Sequence, residues 1–188
     1  MFRLLFALLI LATSATAQPA EVIRGNGDPM NTQLIGNVRI NAASSLERRW
    51  IIVNDPSLPA RITERLYRGV TIGFGERDFQ YRSSFTLALT APVSAIEVIH
   101  IVFDVWNQRV RSLRFDSVAD LQIGEHRLSG SWRLGSEAEA VRHYQSLAYI
   151  SRVRLADGTV LSADLQHVLA EVEGIASGTT LEDLSAAD

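Results

Sequence analysis

Phe79-Gln80-Tyr81-Arg82-Ser83-Ser84-Phe85-Thr86-Leu87-Ala88-Leu89 alternates over its whole length. Odd positions carry Phe79, Tyr81, Ser83, Phe85, Leu87 and Leu89; even ones carry Gln80, Arg82, Ser84, Thr86 and Ala88. A period of two belongs to a strand, with one face on a core and the other in water. Ala91-Pro92 ends the run.

Working outward from that strand, the next segment reads differently. In Ile96 to Val105 one face is Glu97, Ile99, Ile101, Phe103, Val105 and the other Ile96, Val98, His100, Val102, Asp104. Both are mostly apolar, so a central strand covered on both sides is expected. Val110 to Val118 supplies another strand, and Arg127 to Leu134 alternates again, with Leu128, Gly130, Trp132 and Leu134 inward. From Leu147 to Leu161 a hairpin is expected around Ala156-Asp157-Gly158-Thr159, with Leu147, Tyr149, Val153 and Leu155 on one face. Upstream, short strands are expected at 33–40 and 49–53, closed by the turn residues Asn54 to Pro59. The stretch 61–74 mixes helical spacing with β-branched Val70-Thr71-Ile72 and is taken as extended, with Gly69 and Gly75 as bends.

Two helices complete the reading. Ser136-Glu137-Ala138-Glu139 has capping-box spacing. Leu165, Val168, Leu169 and Val172 form one stripe at spacings of three and four, between a possible Ser162 cap and Gly174. The resulting organisation is a leader at 1–17, a flexible lead-in at 18–32, a β-sandwich at 33–161, a helix at 162–175 and an acidic flexible tail at 176–188. The tail holds at most a helical fragment around Leu181 and Leu184.

The leader follows from Met1-Phe2-Arg3, the nine apolar residues Leu4 to Ala12, and small Ala15 and Ala17 before Gln18. That order predicts a secretory signal cleaved after Ala17, since nine residues fall far short of the roughly 20 that span a bilayer. No later run is apolar enough to cross either; Glu97, His100 and Asp104 interrupt the richest one. An exported product is therefore expected, periplasmic in the first instance and extracellular as the alternative. The chain has no cysteine, which excludes disulfides, thiolate-held metals and thiol catalysis. Stability must come from an apolar core, and 47% hydrophobic against 21% charged residues suits one globular domain.

All 18 basic residues are arginine and the net charge is −3, which gives no electrostatic case for nucleic acid. The uniform arginine reads either as coding bias or as a choice of planar forks for anions. Arg109, Arg111 and Arg114 crowd one strand, and Arg152 and Arg154 share a side of another. Should those strands be neighbours, they form a positive stripe able to meet an acidic partner; otherwise they are a solvated face that blunts edge pairing.

Reactive constellations are weak. His100, His126, His143 and His167 never fall at i, i+2 or i, i+4, so no local metal pair arises. Ser129-Gly130-Ser131 lies inside an alternating strand rather than on a Gly-x-Ser-x-Gly elbow, and its glycine is expected to make room for an aromatic ring. Asp104, Asp116 and Asp120 are near one another in sequence, as a carboxylate pair for sugar chemistry would need, but lie on strands or turns where solvent-facing acids are ordinary; Asp116 and Asp120 could help hold Ca²⁺ but lack the dense oxygen run of such a loop. Gly69, Gly73 and Gly75 are no phosphate loop, having no Gly-Lys pair. Trp132 reads as core, whereas Trp106, beside Asn107 at a strand end, reads as the exposed one; Trp50 is undecided.

Short strands at eight-to-twelve-residue spacing with one good helix argue for a mainly β, antiparallel two-sheet sandwich with a C-terminal helix. Ile99 to Val105, the Leu128-x-Gly130-x-Trp132 strand and the Val153 to Val160 hairpin resemble exported, cysteine-free immunoglobulin-like or fibronectin-type domains of bacteria. The resemblance covers about residues 33–161 and departs from true immunoglobulin domains in its missing cysteines and added helix. It implies an immunoglobulin-like scaffold and carries over no active-site residue. The expected function is a non-enzymatic binding or accessory module of the cell envelope, needing no cofactor or metal. It would meet an envelope protein or surface polymer through an exposed strand edge or the Arg109, Arg111, Arg114, Arg152, Arg154 face. A small periplasmic hydrolase or carbohydrate-active enzyme with a loop-built site, and a ligand or metal carrier, stay open; Met30 as the sole thioether of 18–188 weakens a copper carrier.

Overall fold

In a computed structural model the described residues are 20–29, 47–72, 79–134, 142–173 and 178–185. They form strands β1 (Glu21–Pro29), β2 (Glu47–Asn54), β3 (Ala60–Ile72), β4 (Phe79–Leu89), β5 (Val93–Phe103), β6 (Arg109–Leu121), β7 (Gly124–Arg133), β8 (Gln145–Leu155) and β9 (Val160–Ser162). Helices α1 (Leu165–Glu173) and α2 (Leu181–Ser185) follow. The leader with Ala15, Ala17 and Gln18, the strand expected at 33–40 and the capping box at 136–139 lie outside the described residues.

The strands make a two-sheet sandwich. The large sheet runs β1-β2-β8-β5-β6, with β9 also on β8, and the small sheet runs β3-β4-β7. All pairs are antiparallel except β2 with β8, which is parallel from Arg49↔Gln145 to Val53↔Tyr149. β8 thus uses one edge twice, its first half for β2 and its last residues for β9.

The core between the sheets holds Ile52, Ile96, Val98, Ala148, Ile150 and Val153 of the large sheet against Ile62, Phe85, Leu87 and Leu89 of the small one. The other face of the large sheet carries Ile51, Val53, Ile99, Ile101, Phe103, Leu147 and Tyr149, and there Val168, Val172 and Leu184 of the helices are buried. The expected double coverage of β5 is what forms, and the C-terminal helices are its second cover. α1 packs on the expected stripe, with Val168 and Val172 buried and Leu165 and Leu169 half-buried.

Several expectations need correction. Residues 21–29 are strand β1 and not a flexible lead-in: β1 pairs with β2 through Gly25↔Trp50. A Cβ on Gly25 would run into the indole of Trp50, so only glycine lets that ring lie over the edge strand. In β8 the pairing with β5 shifts between Glu97 and Val98. That bulge passes the apolar set from one face to the other, so Leu147 and Tyr149 face the helices while Val153 faces the small sheet. α1 is capped by Asp164, which accepts from Gln166 N at 2.9 Å, rather than by Ser162. The tail is docked through α2: Leu184 is 1% exposed, and its carbonyl accepts from the Tyr149 hydroxyl at 2.6 Å. Thr180 and Asp183 cap α2 reciprocally, Asp183 taking the Thr180 amide at 2.8 Å and giving its own to the Thr180 hydroxyl at 3.2 Å.

Candidate functional site

The positive stripe required β6 and β8 to be neighbours, and β5 lies between them. Arg114 and Arg152 still meet, because both reach Glu97 on β5, at 3.4 and 2.7 Å from Oε2. The Ser151 hydroxyl donates to Oε1 of Glu97 at 2.5 Å. Burial is the largest influence on Glu97 and raises its pKa, but the Ser151 and Arg152 hydrogen bonds and the charges of Arg114 and Arg152 outweigh it, and its carboxyl sits below the ordinary range. Arg111 is paired in register with Val102, so it belongs to the inner side of the sheet. Arg109 reaches Asp183 of α2 at 3.6 Å. Arg154 lies across from Val160 in β9, with its guanidinium beside Gly158. The five arginines therefore do not form one surface.

The buried carboxylates hold turns and strands. Asp104 Oδ1 accepts from the amides of Trp106 and Gln108 at 2.9 Å each, and Oδ2 takes Arg142 at 3.1 Å. Asp55 accepts from the amides of Ser57 and Asp164, tying the β2–β3 loop to the start of α1. In both, burial pushes the pKa up, yet these donors win and the carboxyls sit below their usual range. Asp116 lies exposed opposite Glu97, and Asp120 is exposed further along β6.

His100 is fully buried, with ring centroids 5.1 Å from Trp132, 5.9 Å from Phe85 and 6.5 Å from Tyr81. The His143 ring lies 5.5 Å from that of Tyr81. His126 contacts the Gln122 carbonyl at 2.7 Å, and His167 stands beside Asp164. Among the described residues no three His, Cys, Asp or Glu come together as a metal-holding group. Gly130 has the role expected of it: a Cβ there would sit 2.7 Å from the Phe115 ring. Trp132 packs half-buried against Tyr81 and donates to the Arg114 carbonyl of edge strand β6 at 2.8 Å. Trp106 is the exposed tryptophan, at 78%.

A groove lies on a face where the sequence alone pointed to no site. β4 and β7 pair through Arg82↔Ser131, Ser84↔Ser129 and Thr86↔Arg127. These are the outward members of two alternating strands whose inward members, Tyr81, Phe85 and Leu128, enter the core. The groove holds about 420 Å³ and is lined by Arg82, Ser83, Ser84, Arg127, Ser129, Gly130 and Ser131. Among the described residues its lining holds two guanidiniums, the exposed Ser129 and Ser131, the buried and already engaged Ser83 and Ser84, and no carboxylate. Glu64, across from Thr86, and Glu125, across from Ala88, stand on the flank of this face. Gln80 steadies Arg82, taking its Nε and Nη2 at 3.3 and 3.1 Å. Forked cationic donors beside hydroxyls suit an acidic ligand oxygen. The signal was legible as outward residues of β4 and β7 without an acid between Arg127 and Arg133; only pairing brings the two rows together.

No protein-family model and no curated protein matches this chain.

Proposed function

We propose that this chain is an exported, non-enzymatic binding module of the bacterial cell envelope, on an immunoglobulin-like sandwich, which meets an acidic envelope partner through an arginine-bearing sheet face. The face is the outer side of β4 and β7. The observation that carries the reading is the groove of about 420 Å³ whose lining, among the described residues, presents the guanidiniums of Arg82 and Arg127 and the exposed hydroxyls of Ser129 and Ser131 and no carboxylate. It is supported by the fate of the buried acids, since Asp55, Glu97 and Asp104 are each engaged by amides, hydroxyls or guanidiniums that hold the fold. Export is supported by the leader pattern at 1–17 and predicts a secreted product beginning at Gln18.

Capture of partners from envelope extract tests the reading, with the wild-type chain and an Arg82→Glu, Arg127→Glu double variant as baits. The wild type should retain an acidic polymer or protein that elutes with salt, and the double variant should retain at least about tenfold less, because like charges now face each other. Equal recovery by both baits would sink the assignment of the face. Substrate turnover that disappears in a His143→Ala variant of unchanged fold would instead overturn the non-enzymatic reading.

A further inference from the structure

The two outer sides of the sandwich carry opposite charge. On the small sheet, Arg82↔Ser131, Ser84↔Ser129 and Thr86↔Arg127 follow one another in successive rows. Arg82 and Arg127 are exposed. The side-chain partner of Arg82 is the neutral Gln80, and among the described residues no carboxylate pairs with either guanidinium. Glu64 and Glu125 on the flank reach neither of them.

The helical layer is the reverse. After Arg154 the chain has seven acids and no arginine or lysine. Asp164 and Asp183 are occupied by caps and by His167 and Arg109. Glu173 and Glu182 are exposed and Glu171 is half-buried, and among the described residues none of these three carboxyls has a partner. The helices that carry them are fixed. Val168, Val172 and Leu184 are buried on the large sheet, the Leu184 carbonyl accepts from Tyr149 at 2.6 Å, and Asp183 stands 3.6 Å from Arg109. The groove faces the opposite way, across two sheets stacked about 10 Å apart. Helices so held cannot bring their acids round to Arg82 and Arg127 of the same chain.

A molecule with unpaired cations on one side and unpaired anions on the other is complementary to its own copy. We infer that the acidic partner of the β4–β7 groove is a second copy of this chain, whose Glu173 and Glu182, with Glu171 beside them, meet Arg82 and Arg127. This rests on the proposed reading of the groove as an acid-binding face. Guanidinium forks match carboxylates, and the hydroxyls of Ser129 and Ser131 donate to the carboxylate oxygens left over. The contact joins two different surfaces, so a bound pair still has one free face of each kind. Assembly therefore continues head to tail instead of stopping at a two-fold dimer.

The test is the mass of the purified protein in solution, read by light scattering and sedimentation across concentration and salt. The wild type should grow beyond a dimer as concentration rises, and its association should weaken at least about tenfold between roughly 20 and 300 mM salt. Arg82→Glu with Arg127→Glu should be monomeric alone, and so should Glu173→Arg with Glu182→Arg. An equimolar mixture of these two variants should associate again, because each supplies the face that the other has reversed. The milder Glu173→Gln, Glu182→Gln variant should associate more weakly than the wild type by about threefold or more. A wild type that stays monomeric at low salt overturns the inference, as does a salt-insensitive dimer that grows no further. If groove-dependent capture of an envelope polymer persists beside a monomeric wild type, only this inference falls. Association and capture that both survive Arg82→Glu, Arg127→Glu overturn the inference and the assigned face together.

Discussion

The large and small sheets each turn one face away from the core they share, and the two faces are opposite in kind. The outer face of the large sheet is apolar, with Ile51, Ile99, Ile101, Phe103 and Leu147, and the C-terminal helices cover it. The outer face of the small sheet carries Arg82, Ser84, Arg127, Ser129 and Ser131 and forms an open groove. A sheet that is apolar on both sides needs a third layer, because water would otherwise meet its full hydrophobic area. A sheet that alternates cleanly needs none, because its outward side chains are already polar. In this molecule the C-terminal helices cover the apolar face, and the outer face of β4 and β7 keeps its polar side chains.

The sharpest way to break that contrast is to charge the covered side. Leu184→Asp would bury a carboxylate beside Tyr149 and Val168, and a loss of more than about 4 kcal/mol in urea unfolding is expected. A small change would mean that α2 does not seal the face. Next comes the pair Trp132→Ala and Trp106→Ala. The first removes packing against Tyr81 and the hydrogen bond to β6 and should cost on the order of 3 kcal/mol. The second should stay within about 0.5 kcal/mol, as expected for an exposed side chain. Gly130→Val, which forces a side chain into the Phe115 ring, is expected to lose about 1–3 kcal/mol by thermal melting.

A smaller effect concerns acid. Glu97 has a folded pKa below its unfolded one, so its contribution is complete above the unfolded value, near pH 4.5, and is lost as pH falls through the folded value. Arg114 and Arg152 are 45% and 56% exposed, which limits the pair energies to about 1 kcal/mol. Glu97→Gln should therefore lower stability modestly at neutral pH and flatten its decline below pH 4.5 relative to wild type, measured by unfolding across pH. A slope unchanged by the substitution would show that the bonds to Glu97 do not stabilise the fold. Last, Arg82→Glu with Arg127→Glu should leave the melting temperature nearly untouched, within about 0.5 kcal/mol, while altering partner capture. A large destabilisation there would make the bare face structural.

Much of the architecture was readable along the chain. β4 matches the expected span residue for residue, β5 is covered on both faces, and the stripe of α1 is the one that packs. The exposure of Trp106 and the ring beside Gly130 were also expected and are found. Three features were not readable. β1 carries Gly25, Gly27 and Pro29, a composition that reads as loop until Trp50 lies over Gly25. The bulge at Ser151 reverses the faces of β8, and no local pattern marks a one-residue insertion. The parallel pairing of β2 with β8 joins segments about a hundred positions apart, and only competition among all strands for partners decides it.

Local periodicity settled which residues face inward, because a strand's side chains alternate by covalent geometry whatever it later pairs with. Which outward residues become neighbours was decided only by tertiary structure. Arg114 and Arg152 converge on Glu97 because β5 separates β6 from β8, and Arg82 meets Ser131 because β4 pairs with β7. Faces are a property of single strands, whereas a binding surface is a property of their order in the sheet, and that order depends on free energies summed over the whole molecule.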